Sequence, residues 1–145
     1  MRRLVAVLLV ALCGVAHGQA TPSAAAQRLS KVGLFAFGGV GFAGTTSEGE
    51  KDFRIVLSQP AADALASLEV VYAHGTPAAK SYALVGMRKL DERRFKELVQ
   101  PLESSHEKVA SMAGCILQFR PLGEIARAID SGSYDSRLSL NSQPH

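Results

Sequence analysis

The chain contains no tryptophan, and only two of its 145 residues are cysteine, Cys13 and Cys115. Thiolate metal sites of the structural kind need more cysteines than this, so they are excluded. The helical zinc-protease pattern is missing too, because His106-Glu107 is followed by Ala110 where a second histidine would stand. A serine nucleophile lacks its Gly-x-Ser-x-Gly elbow. No metal and no cofactor is expected.

Charge of one sign is also scarce once the N-terminus is set aside. The chain opens MRRLVAVLLVALCGVAHGQA, with Arg2 and Arg3 ahead of an apolar run from Leu4 to Leu12. Small residues follow, and Ala16-x-Gly18 or Gly18-x-Ala20 suits cleavage. This is the build of a secretory signal peptide over residues 1–20. The apolar run covers about half of the roughly 20 residues that a spanning helix needs. The expected location is exported, periplasmic or secreted. Cys13 follows Leu12 rather than a small residue, which speaks against a lipid-bearing cysteine. Removal of the leader takes away Arg2 and Arg3 and leaves 14 basic against 13 acidic residues. Such a balance does not argue for nucleic acid. Cys115 is then the lone thiol, and burial in apolar surroundings is its expected state.

What is present is helix punctuation. Residues 21–46 read as a loose start followed by a glycine-rich apolar segment. Ser47-Glu48-Gly49-Glu50 fits a capping box: the Ser47 hydroxyl accepts the Glu50 N–H, and the Glu50 carboxylate reaches back to the Ser47 N–H. Phe53, Val56 and Leu57 then share one helical face. Pro60 separates this helix from a second, with Ala64, Leu68 and Val71 in its stripe. Gly75 is expected to end that helix in the left-handed region. Thr76-Pro77 starts a third, carrying Tyr82, Ala83 and Met87 inward. Asp91 caps a fourth, with Phe95, Leu98 and Val99. Ser104-x-x-Glu107 predicts a fifth through Val109, Met112 and Ala113, ended by Gly114. Cys115 to Phe119 reads as a connection, and Leu122, Ile125, Ala126 and Ile129 mark a sixth helix closed by Gly132. The expected fold is all-α: about six short helices in antiparallel hairpins over 47–132, then a flexible tail over 133–145.

The stretch GTPAAKSYALVGMRKLD, residues 75–91, resembles one helix of a HEAT-like α-solenoid pair. Together with FAGTTSEGE and GCILQFRPLGEIARAI, it makes the chain similar to small exported bacterial proteins. The HEAT likeness covers about residues 47–103 and implies a curved helical surface for binding proteins. It implies no chemistry.

Several constellations are weighed on their residues. Gly39-x-Gly41-x-x-Gly44 has the spacing of a dinucleotide turn, yet the next helix starts only at Ser47 and no second strand–helix unit follows. A better reading has Leu34, Phe35, Phe37, Val40 and Phe42 packing over the helical core. Thr46, Ser47 and Glu48 stand at a helix mouth that would suit an anion, opposed by the acidic residues already there. RKLDERRFK, residues 88–96, gathers Arg88, Lys89, Arg93, Arg94 and Lys96; Asp91, Glu92 and Glu97 neutralise much of it. Cys115 and His106 are the only thiol–base pair, and the cysteine lacks the local signature of a nucleophile.

The leading expectation is a non-enzymatic exported module binding another envelope protein through the third and fourth helices, with Arg88, Arg93 and Arg94 at the rim. The alternatives are a small envelope enzyme or ligand-binding protein using the glycine-rich segment, and a membrane-surface protein using residues 32–43.

Overall fold

A computed structural model describes residues 23–139; the expected leader with Cys13, and the last residues of the tail with His145, lie outside this range. The element order is α1 (Ala24–Leu29), β1 (Phe35–Val40), β2 (Thr45–Thr46), α2 (Glu48–Leu57), α3 (Ala61–His74), α4 (Pro77–Leu90), α5 (Glu92–Val99), a 3-10 turn (Gln100–Leu102), β3 (Lys108–Gly114), β4 (Ile116–Pro121), α6 (Leu122–Asp130) and α7 (Asp135–Ser139). The all-α, HEAT-like expectation is therefore wrong. The described residues form seven helices and a four-stranded mixed sheet of order β2-β1-β3-β4, in which β1 and β3 run parallel and the other pairs antiparallel.

Helices α2 to α6 form where caps and 3.6-residue periodicity place helices. Ser47, Thr76 and Asp91 each cap their helix, the side chain accepting the N–H three residues on. Leu68 and Val71 of α3, Tyr82, Ala83 and Met87 of α4, and Ile125 and Ile129 of α6 are fully buried. Gly75 departs from its reading: its φ is −83°, and it is needed because a Cβ there would stand 2.8 Å from the Ala79 Cβ. Residues 24–29, read as loose, form a helix capped by Ser23 that buries Ala25, Ala26 and Leu29. Its Arg28 is bound to Asp52 of α2 through Nε at 3.0 Å and Nη2 at 2.5 Å. The start of the expected tail carries α7, whose Asp135 receives Arg88 Nε at 3.1 Å.

The largest error concerns residues 104–121. The expected fifth helix is strand β3, and the expected connection is strand β4, paired residue for residue from Lys108–Pro121 to Ala113–Ile116. Gly114, at φ +56°, opens the two-residue turn between them, as a type II′ hairpin requires. A left-handed glycine is equally the stop signal of a helix, so the residue type served both readings.

The inner face of the sheet packs on α2, α4 and α6. Phe35 and Phe37 are buried, with Tyr82 rings at 4.9 and 5.3 Å and Tyr134 at 5.2 and 6.0 Å. Val109 and Ser111 lie on that face beside them, because Phe35 pairs with Ser111. The alternate residues Ala110, Met112, Leu117 and Phe119 share the outer face.

Candidate functional site

The two edges of the sheet are treated differently, and this difference defines the candidate site. On the β2 side, β2 pairs only with Gly39 and Val40, which leaves the earlier part of β1 without a neighbouring strand. Side chains replace that strand. The Tyr82 hydroxyl accepts the Ala36 N–H at 3.0 Å and donates to the Ala36 carbonyl at 2.7 Å. The buried Glu50 carboxylate accepts the Gly38 N–H at 2.8 Å and the Arg54 guanidinium at 2.6 Å. The capping box is thus only half formed: Ser47 Oγ accepts the Glu50 N–H at 3.2 Å, while the Glu50 carboxylate turns to β1. Burial pushes the Tyr82 hydroxyl above the ordinary tyrosine value, with its hydrogen bonds to Ser47 and Ala36 opposing the shift.

The β4 side is open. Ile116, Leu117 and Phe119 are 63%, 49% and 67% exposed. Between Val109 and Phe119 there is no charged residue, and Arg120 turns inward to Glu124 at 2.9 Å. The hairpin tip meets the tip of the β1–β2 loop through a 3.0 Å bond from the Gly41 N–H to the Gly114 carbonyl. Phe42, beside that contact, is fully exposed rather than packed on the core. Two segments far apart in sequence therefore build one uncharged, apolar end of the molecule. A patch of this kind marks an interaction surface more often than a scatter of single residues does.

The residues singled out from sequence lie elsewhere or are already engaged. Thr46 is exposed in β2. Ser47 serves its own cap and stands 3.3 Å from the Tyr82 hydroxyl. Glu48 pairs with Lys51 at 2.6 Å. The mouth of α2 is thus occupied by the helix's own groups, and an arriving anion would meet Glu48 and Glu50. Cys115 is exposed at the hairpin tip rather than buried, because its segment is a turn and not a core connection. His106 precedes β3 at the other end, and the seven residues of β3 alone span about 20 Å. The two cannot act as a pair.

The basic corner is neutralised within the chain. Arg88 bonds Asp135 and stands over the Phe95 ring at 5.7 Å. Arg93 lies 3.8 Å from Glu97, and Arg94 bonds Glu69 at 2.8 Å and Glu97 at 2.9 Å. Lys96 reaches Asp130 at 2.5 Å. Lys89 sits on the exposed side of α4. Hydrogen bonds to Asp135 and to Glu97 and Glu69 raise the Arg88 and Arg94 pKa values respectively, which holds both in the charged form.

Two clefts among the described residues lack a built ligand site. One of about 100 Å³ on the inner face of the sheet is lined by Phe35, Ser111, Gln118, Arg120 and Tyr134. That is below the several hundred Å³ of a usual small-molecule site. The other is an open depression beside the basic corner, lined by both signs of charge, with Arg93, Lys96, Glu97 and Asp130. Among the described residues, no group of three His, Cys, Asp or Glu side chains is placed to hold a metal. No described helix is long and apolar enough to cross a membrane.

The open hairpin was missed from the sequence, although its signal was there. Leu117 and Phe119 alternate with Ile116 and Gln118, a period of two behind a Gly-x turn. No protein-family model, curated protein or solved structure matches the chain.

Proposed function

We propose that this protein is an exported, non-enzymatic module that binds another protein of the cell envelope, and that the contact is made by the β3–β4 hairpin and the outer face of the sheet. The observation that carries this reading is the uncharged apolar end formed by Phe42, Ile116, Leu117 and Phe119, against a second sheet edge sealed by Tyr82 and Glu50. The basic corner is the weaker candidate, since Arg88, Arg93 and Arg94 already have carboxylate partners. Export rests on the leader sequence alone.

Crosslinked pull-down of the tagged full-length protein from its native envelope fraction tests the reading. Leu117→Ser with Phe119→Ser is expected to lose a co-purified chain that the parent protein holds near equal stoichiometry. Arg93→Glu with Arg94→Glu is expected to retain it. Loss in the arginine variant alone would return the contact to α4 and α5, and the absence of any partner in the parent would remove the reading.

A further inference from the structure

The ladder between β3 and β4 has a fixed phase. The Leu122 N–H donates to the Glu107 carbonyl at 2.7 Å. In an antiparallel pair, hydrogen-bonded and non-hydrogen-bonded positions alternate. Val109–Arg120, Ser111–Gln118 and Ala113–Ile116 are therefore the bonded pairs of the register. It follows that the N–H and C=O groups of Leu117 and Phe119 point away from β3, along the open edge. Both side chains lie on the outer face.

This arrangement is self-complementary. We propose that the β4 edge pairs with the β4 edge of a second copy, antiparallel, about a two-fold axis through Gln118. In that register Leu117 of one copy faces Phe119 of the other, twice. The four outward N–H and C=O groups of each strand segment meet their counterparts in narrow pairs, and Gln118 faces Gln118 across a non-bonded pair. Leu117 and Phe119 then form two aliphatic–aromatic cross-strand contacts on one face, the favourable kind. Axes between two residues set an outward-pointing group against an inward-pointing one. An axis at Phe119 sets Leu117 against Pro121, which has no N–H to donate, and an axis at Leu117 leaves fewer residues of β4 overlapping.

Three further observations favour a second copy. The edge strand is unblunted over residues 115–119, which hold no charge and no proline; Arg120, drawn inward to Glu124 and toward Tyr134, and Pro121 stand only at its far end. The opposite edge of the same sheet does have such protection, from Tyr82 and Glu50. Ile116, Leu117 and Phe119, all largely exposed, stand on this same edge strand and give a second copy apolar side chains to meet. The result would be one eight-stranded sheet whose outer face carries both copies of the apolar surface. The inference goes beyond the binding function proposed above and does not depend on the identity of an envelope partner.

The geometry gives a sharp crosslinking rule. Non-bonded antiparallel neighbours have Cα atoms about 4.5 Å apart, within disulfide range. Cys115, by contrast, would face Pro121 of the other copy, so the two Cys115 residues stand about 20 Å apart. In the test, the full chain is expressed with its own leader, purified from the exported fraction, and its mass measured by light scattering from about 1 to 100 µM. The parent protein is expected to dimerise equally well with and without reductant. Gln118→Cys in a Cys115→Ser background should crosslink covalently on mild oxidation, whereas the parent, through Cys115, should not. Gln118→Lys, which sets like charges face to face, should weaken dimerisation at least 10-fold with unchanged circular dichroism. A folded parent that stays monomeric at 100 µM overturns the inference, as does a dimer that Gln118→Lys leaves intact and Gln118→Cys fails to link. A monomer that sediments with anionic phospholipid vesicles also overturns it and assigns the edge to a lipid surface. If the envelope pull-down still depends on Leu117 and Phe119 in a monomeric protein, only the self-pairing fails.

Discussion

Removing one oxygen atom, in Tyr82→Phe, tests whether a side chain stands in for the missing strand beside β1. The Tyr82 ring is fully buried and packs edge-on against Phe35 and Phe37, with Phe53 centred 5.5 Å away. Phenylalanine keeps all of these contacts. What it loses is the hydroxyl that accepts the Ala36 N–H and donates to the Ala36 carbonyl. Ser47 Oγ lies 3.4 Å from that carbonyl and can continue to donate to it. The N–H has no such substitute, and Ala36 is buried. An orphaned buried N–H costs about 1–3 kcal/mol, so the variant should be less stable by about that amount. Urea unfolding followed by circular dichroism would show a lower midpoint with an unchanged slope, since the buried area hardly changes. The same residue gives a pH signature. Because burial raises the folded-state pKa of Tyr82, the unfolded chain loses that proton first. Stability from this source is complete below about pH 10 and falls above it, by up to about 1.4 kcal/mol per pH unit. Tyr72 is also raised by burial and stays in place, so Tyr82→Phe should reduce the alkaline fall without abolishing it. A stability change within 0.5 kcal/mol, or an alkaline slope identical to the parent's, would refute the assignment of Tyr82 as the closing group of the β1 edge.

The other predictions concern the same architecture. Glu50→Gln keeps the shape of a buried side chain but leaves the Arg54 guanidinium without its anion, and should cost about 1–3 kcal/mol in the same urea assay. Gly123→Ala would ordinarily gain about 1 kcal/mol in a helix. Here the new Cβ would fall below contact distance of the Glu103 carbonyl oxygen and 3.0 Å from that of Leu102, both backbone atoms, so a loss of about 1–3 kcal/mol is expected. A gain in melting temperature would show that the chain before β3 yields easily. Cys115→Ser should leave the midpoint unchanged within about 0.5 kcal/mol, the usual result at an exposed position, and a titration with a thiol reagent should label Cys115 in the folded parent.

Helices α2 to α6 were legible because their signals are local. Ser47, Thr76 and Asp91 each cap a helix through the N–H three residues ahead, a relation that needs no knowledge of the rest of the chain. The strands failed for the opposite reason. β1 finds its parallel partner β3 across some 70 residues, and nothing local in VASMAG separates a helix from a strand. Val109, Met112 and Ala113 satisfy a helical spacing, while Val109, Ser111 and Ala113 satisfy an alternation. Small residues carry little weight in either pattern, and a serine three places before a glutamate tipped the reading toward helix. In the folded chain the Glu107 N–H goes to Ser105 Oγ instead, within a turn.

The candidate site shows the same division between local and distant causes. That the basic corner is compensated was visible in Asp91, Glu92 and Glu97, its sequence neighbours. Its principal partners, Glu69, Asp130 and Asp135, come from three other helices, which makes the corner more thoroughly neutralised than its own stretch of sequence implies. The hairpin errs in the other direction. Five apolar or weakly polar residues from Cys115 to Phe119 look like interior, and in an all-helical fold they would be. They stay outside because β4 is the last strand of its sheet, with no element following it on the outer face: the chain turns at Pro121 and returns along the inner side as α6. Exposure of Leu117 and Phe119 is thus a consequence of strand order, a property of the whole topology. The chain commits Tyr82 and Glu50, two buried polar side chains from different helices, to sealing one edge of this sheet, and places no charge along residues 115–119 of the other. An edge left both apolar and unguarded in a protein that guards its opposite edge so closely is most economically explained by a partner strand in the working assembly.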